Sequence, residues 1–231
     1  MKEELNWHKL HKIGGIAAFI IVFIIPIQIT IFVVFPPPVT TLGFFELFHE
    51  NWIIGLLSLD FLYYINNALI ILVYLGLFSS LRKIDFAKML IAVIIGFIGI
   101  ASYYASTVGF EMLSISKQYF STESIEIKQQ LLSVGQSLTK KYKGTAFDVY
   151  YVFNAITLLM ISLTMFKSNT FSKATAIWGL IAGIFMIIPS TAGVLGLVFS
   201  LISLIPWIVF SLLIGQKLMQ LGQLEKNIKK E

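Results

Sequence analysis

Three carboxylates, Asp60, Glu111 and Asp148, each stand within about two helical turns of a tandem tyrosine pair: Tyr63-Tyr64, Tyr103-Tyr104 and Tyr150-Tyr151. All of them sit in or beside long apolar stretches. Carboxylates grouped with phenols in an apolar setting suit two kinds of chemistry. One is the binding of a small polar ligand, a lipid headgroup or an ion. The other is acid-base catalysis, with one carboxylate as general base and a tyrosine or a metal-bound water as its partner.

Counting from the basic residue that bounds each stretch gives a depth. Asp60 is 82 − 60 = 22 residues from Arg82, Glu111 is 111 − 88 = 23 from Lys88, and Asp148 is 167 − 148 = 19 from Lys167. At about 1.5 Å per helical residue the three acids share one level, roughly 28 to 35 Å from those cations. The tyrosine pairs fall at about 22 to 29 Å and Asn67 and Asn154 at about 20 to 23 Å. That depth puts both asparagines inside hydrocarbon.

The spacing aligns the polar groups. Asp60, Tyr64 and Asn67 stand at i, i+4 and i+7; Tyr104, Thr107 and Glu111 at i, i+3 and i+7; Asp148, Tyr151 and Asn154 step by three. An unpaired amide or carboxylate facing lipid costs on the order of several kcal/mol, so the stripes are expected to converge inside a bundle. The expectation is an outward-facing polar vestibule lined by these nine residues. Each feature also has a plainer reading. Tyrosines at this depth form an interfacial aromatic belt, acids at helix ends are hydrated, and asparagines tie helices together.

The one metal-like spacing is Glu46, His49 and Glu50, where Glu-x-x-His places a carboxylate and an imidazole on one helical face. Three or more ligands are usual at a metal centre, so this is a weak candidate and no metal is assigned. No Ser-His-Asp arrangement, phosphate loop or mid-span lysine points to a cofactor. Zero Cys removes thiolate ligands, disulfides and cysteine nucleophiles together.

The elements that must position these residues are membrane helices. Of the 231 residues 57% are hydrophobic and 13% charged, which lies outside the range of soluble globular domains. The mean hydropathy is +0.85. Apolar runs near the roughly 20 residues that cross a bilayer recur at 13–35, 59–81, 88–109, 146–166, 172–188 and 192–215. The expected fold is a single all-α membrane domain over residues 1–231, with six transmembrane helices and two short amphipathic helices on the outer side. The first run is too long for a signal-peptide core and is expected to be retained.

Between the first two runs Phe44, Phe48 and Trp52 recur at i, i+4 and i+8, opposite Glu46, His49 and Glu50, which predicts a short interfacial helix. Between the third and fourth, Ile127, Leu131, Val134 and Leu138 predict an amphipathic helix over about 122–142, capped by Ser121 or Thr122. It is placed as a cover over the outer mouth. Thr175, Gly179 and Gly183, and Gly96 with Gly99, are small-residue stripes expected to serve internal packing. Pro26 and Pro206 are expected to kink runs one and six, and Pro189 to mark the end of run five.

The net charge of +5 comes from 17 basic residues. Twelve of these 17 fall on one side if both termini are cytoplasmic, and the other five share the loop that holds Lys117, Lys128, Lys140, Lys141 and Lys143. The charge is therefore a topology signal in a cell membrane, and the partner it implies is the lipid bilayer rather than nucleic acid.

The stretches NNALIILVYLGLFSSLRK, MFKSNTFSKATAIWGLIAGIFMIIPSTAGVLGL and PWIVFSLLIGQKLMQLG resemble a group of bacterial multi-pass membrane proteins known only as a domain of unknown function. The likeness is strongest in the C-terminal third. It implies a six-helix bacterial membrane fold and carries no activity and no functional residues. The leading functional expectation is thus a non-enzymatic membrane protein whose vestibule binds a small ligand, lipid headgroup or ion. The alternatives are an intramembrane carboxylate-dependent enzyme and an accessory or assembly protein whose polar groups serve packing.

Overall fold

The computed structural model describes residues 4–227. It is helical throughout: α1 Glu4–Val34, α2 Thr41–Glu50, α3 Trp52–Ser58, α4 Phe61–Leu81, α5 Phe86–Ser106, α6 Gly109–Ser121, α7 Ile125–Tyr142, α8 Thr145–Phe166, α9 Lys173–Phe185 and α10 Gly193–Asn227. Five segments are long and apolar enough to cross a membrane, built on α1, α4, α5, α8 and α10. Their outward surface is apolar, with Phe23, Ile27 and Val33 of α1 and Ile91, Ile94 and Ile98 of α5 exposed. A chain of this kind is a multi-pass membrane protein.

Run five gives a shorter helix than its 17 residues predict. α9 has 13 residues, about 20 Å of helix, and gives way to a turn at Met186–Pro189. Pro189 lacks an amide donor and disfavours helical geometry in the residue before it, so the helix cannot run on. Pro26 and Pro206, by contrast, sit within α1 and α10 without ending either.

Helix packing pairs α5 with α8, α1 with α4 and α10, and α9 with α8 and α10. Small residues set the closest approaches. A Cβ on Gly14 would stand 3.1 Å from Gly76 Cα, and one on Gly15 would stand 3.1 Å from the Gly215 carbonyl oxygen. Gly96 and Gly99 of α5 lie against Tyr74 and Asn154, and Gly179 and Gly183 of α9 lie against Phe210 and Leu159. Both small-residue stripes therefore serve packing within the bundle. The core they close is formed by residues such as Ile21, Leu77, Met89, Leu158, Ile161 and Phe210.

A second apolar cluster lies at one end, where α2, α3, α6 and α7 form a cap. Phe44, Phe45 and Phe48 of α2 pack with Leu56, Val108 and Met112, and Leu132, Leu138 and Tyr142 of α7 close over them. Ser116 of α6 donates to the Phe45 carbonyl at 2.7 Å.

Three local expectations are corrected by this fold. The first connecting helix breaks at Asn51, whose side chain accepts from Ile54 N at 3.1 Å and caps a new helix. This turns Trp52 away from Phe44 and Phe48 and leaves it 53% exposed. The aromatic face of α2, which the sequence left open to lipid or bundle, is buried on α6. α7 starts at Ile125 and is capped by Ser124, one turn later than the expected start. Its buried side runs through Leu132, Gly135, Leu138 and Tyr142, because Gly135 lets Thr41 and Phe45 approach closely. Ile127 and Val134, expected on that side, are exposed.

The third correction concerns span three. α5 stops at Ser106, Thr107 is extended (φ −66, ψ 146), and α6 begins as a separate helix at Gly109. The apolar run continues past a break that hydropathy alone does not register.

Candidate functional site

The cap end of the bundle holds an open cavity of about 700 Å³. Asp60 stands on its wall, in the turn before α4 and outside the span itself. Asp60 is the one residue other than glycine with positive φ among the described residues (φ 61). Its place at the start of a helix would ordinarily make its carboxylate a cap, yet it forms no capping hydrogen bond. The Tyr142 hydroxyl donates to the carboxylate instead, and the Tyr103 hydroxyl donates to the Asp60 carbonyl at 3.3 Å. Burial pushes the Asp60 carboxyl up to about 6, against the Tyr142 hydrogen bond and the nearby Lys143 charge, which both favour the carboxylate.

Aromatic rings build the wall around it. Tyr103 and Tyr150 lie 5.0 Å apart, Phe147 and Tyr151 5.1 Å, and Tyr142 and Phe147 6.2 Å, centroid to centroid. Polar groups on the rest of the lining include Gln28 of α1, Lys143, Thr139, Ser200 and residues of the segment 190–193. Asp148 does not line the cavity; it accepts from Thr191 and so fastens that segment to α8.

A smaller cavity of about 60 Å³ continues inward, sharing Tyr63, Tyr150, Tyr151 and Leu204 with the first. Asn66, Tyr74, Asn154, Ser203 and Trp207 border it. The Tyr74 hydroxyl donates to Asn154 Oδ1 at 2.7 Å, and Asn154 Nδ2 donates to the Tyr150 carbonyl at 2.8 Å. Two acceptor oxygens on these walls have no partner: Gln28 Oε1, on a residue 1% exposed, and Asn66 Oδ1, on one 2% exposed. Gln28 Nε2 is already engaged, donating to the Leu57 carbonyl at 3.2 Å. Buried acceptors without donors are uncommon, and next to a cavity they mark where a donor from a ligand or water belongs.

The nine expected lining residues divide. Asp60, Tyr151 and Asn154 border the two cavities. Asn67 is buried beside them, with Nδ2 donating to the Tyr63 carbonyl at 2.9 Å. Tyr64, Tyr104, Thr107 and Glu111 form a separate group at the α5–α6 junction. There the Tyr104 hydroxyl donates to the Tyr64 carbonyl at 2.7 Å, and the Tyr64 hydroxyl accepts from Gly109 N at 3.4 Å. The break at Thr107 takes Glu111 off the α5 stripe and leaves it exposed. In each of the first two tyrosine pairs the member facing the cavity is the other one, Tyr63 and Tyr103. Helix α4 begins only at Phe61, so Asp60 does not define a face with Tyr64 and Asn67.

Glu46, His49 and Glu50 are exposed on α2, with the His49 ring stacked 4.1 Å from Phe120. Among the described residues no three His, Asp or Glu side chains are grouped closely enough to share a metal ion. The site residues missed in the sequence are Gln28, Asn66, Tyr142 and Thr191. Gln28 carried a signal, as the lone amide in the first apolar run.

Comparison with protein-family models, curated proteins and solved structures finds no match.

Proposed function

We propose that this is a membrane protein of the cell envelope whose chamber binds a small ligand with a polar end. In this reading α9 is a short sixth crossing, both termini are cytoplasmic and the cap faces outward, with α2 and α7 as two amphipathic helices covering the chamber. The distribution of the 17 basic residues supports that orientation. The resemblance to bacterial six-helix proteins of unknown function agrees with it.

The observation that carries the binding role is the pair of orphan acceptors, Gln28 Oε1 on the wall of the outer cavity beside Asp60 and Asn66 Oδ1 on that of the adjoining inner one. Each unpaired buried amide oxygen costs about 1 to 3 kcal/mol, so a ligand that brings a donor to it is stabilised there. The outer cavity is also of the size that holds a small molecule, within the roughly 300 to 1,000 Å³ usual for ligand pockets.

Native mass spectrometry of the full-length protein, extracted gently from membranes, tests this. The expected result is a co-purifying mass that is lost in Asp60→Asn and in Gln28→Leu. Bare protein, or adducts indifferent to both substitutions, overturns the reading.

A further inference from the structure

The chamber is polar at its inner wall and apolar at one side. Ile29 and Phe32 of α1 and Leu197 and Leu201 of α10 line it. Three of these side chains are accessible rather than packed away: Ile29 39%, Leu197 51% and Leu201 54%. The side of the chamber between these two helices is therefore apolar and not sealed by other side chains.

The two helices explain the opening. They approach closely where Gly15 meets Gly215. Ile29 lies 29 − 15 = 14 residues beyond that crossing on α1, and Leu201 lies 215 − 201 = 14 residues beyond it on α10. That is about 21 Å along each helix. Pro26 and Pro206 fall between the crossing and the rim on their respective helices, where each removes one helical hydrogen bond and favours a bend. A sideways route between the two helices would therefore lie at the cap end, away from their close crossing and beside the chamber that holds Asp60.

The polar groups specify the head that would enter. Unsatisfied groups here are acceptors: Gln28 Oε1, Asn66 Oδ1 and the remaining capacity of the Asp60 carboxylate. Tyrosine rings surround them, and an ammonium group beside a carboxylate and aromatic faces is a favourable arrangement. The cation on the same wall is Lys143, with the hydroxyls of Thr139, Ser190 and Ser200 also lining the chamber. These suit a phosphate. We infer that the chamber admits an amine-bearing glycerophospholipid sideways between α1 and α10, its ammonium toward Asp60 and Gln28 and its phosphate toward Lys143. This rests on the proposed binding role and adds the ligand class and the route.

The test uses full-length protein in detergent micelles titrated with three probes: dioleoyl phosphatidylethanolamine, dioleoyl phosphatidylglycerol, and water-soluble glycerophosphoethanolamine. Lipid adducts are read by native mass spectrometry and the soluble headgroup by saturation-transfer NMR. The expected result is about tenfold tighter binding of phosphatidylethanolamine than of phosphatidylglycerol. Asp60→Asn, which keeps a residue tolerant of positive φ, and Lys143→Gln, on an exposed residue, should each remove most of that preference. Leu201→Trp should weaken the lipid and spare the soluble headgroup. Soluble headgroup binding without any lipid preference overturns the lipid proposal and leaves the chamber's binding role standing. Equal binding of both lipids, unchanged in the variants, overturns the headgroup assignment. Binding of none of the three by protein with an unaltered melting curve overturns the phospholipid inference, and a co-purifying Asp60-dependent mass then decides the broader role separately.

Discussion

Tyr74 of α4 and Asn154 of α8 are joined by a 2.7 Å hydrogen bond beside the inner cavity. Both side chains are buried, and Asn154 uses its amide nitrogen on the Tyr150 carbonyl at the same time. One side chain therefore fixes an interhelical register and satisfies its own helix.

Removing the hydroxyl tests that pair. Tyr74→Phe should lower stability by roughly 1 kcal/mol, because Asn154 Oδ1 loses its donor where little water replaces it. In a chain of this size that is a fall of about 2 to 4 °C in melting temperature. The double variant Tyr74→Phe/Asn154→Ala should lose less than the sum of the two single losses. Strict additivity would show that the two side chains are not coupled.

Acidity should act through Asp60. Its carboxyl is raised to about 6 from 3.8, chiefly by burial, so the folded protein holds that proton more tightly than the unfolded chain. A raised carboxyl contributes stability below its unfolded value that is lost as pH climbs to the folded value. Stability should thus decline between about pH 4 and pH 6 in the wild type. The decline should be smaller in Asp60→Asn, which should be the more stable of the two at pH 7. Parallel pH profiles for the two proteins would remove the assignment.

Close packing should fail differently from backbone strain. A Cβ on Gly96 would meet the Tyr74 ring at 2.6 Å, so Gly96→Ala should cost about 1 to 3 kcal/mol by overpacking. Gly193 has φ +67 and open space around it. Gly193→Ala should cost about 1 kcal/mol through its backbone alone, and the further enlargement Gly193→Leu should add little. A large additional loss in Gly193→Leu would show a contact at that position.

Orientation is open to direct measurement because the chain has no Cys. Single cysteines at Lys140→Cys and Lys167→Cys should label oppositely on intact cells. The first should react with an impermeant maleimide and the second only after the membrane is opened. The reverse pattern would invert the proposed topology.

Much of the architecture is dictated by composition. Long apolar segments over α1, α4, α5, α8 and α10 answer to backbone hydrogen bonding in hydrocarbon, which allows few alternatives. Of the nine residues expected to line one vestibule, Asp60, Tyr151 and Asn154 border the two cavities. Angular position did not transfer from sequence. Periodicity assumes an unbroken helix, and the breaks at Asn51, Asp60 and Thr107 each reset the rotation of the next helix. That is why the alignments of Tyr64 with Asp60 and of Tyr104 with Glu111 fail, and Tyr63 and Tyr103 border the chamber. Tyr142 was hidden for another reason: it lies at the end of α7, and the fold alone brings it to Asp60, 82 residues earlier.

The left-handed turn at Asp60 also limits how this protein can change over time. Only Gly, Asn and Asp enter that backbone region routinely. Asparagine and glycine are each one nucleotide away from an aspartate codon. A lineage that gives up the carboxylate without rebuilding the turn therefore has two exits, one keeping a polar amide and one keeping nothing. The residue found here in a set of descendants would thus act as a three-letter record of whether the chamber still meets a charge.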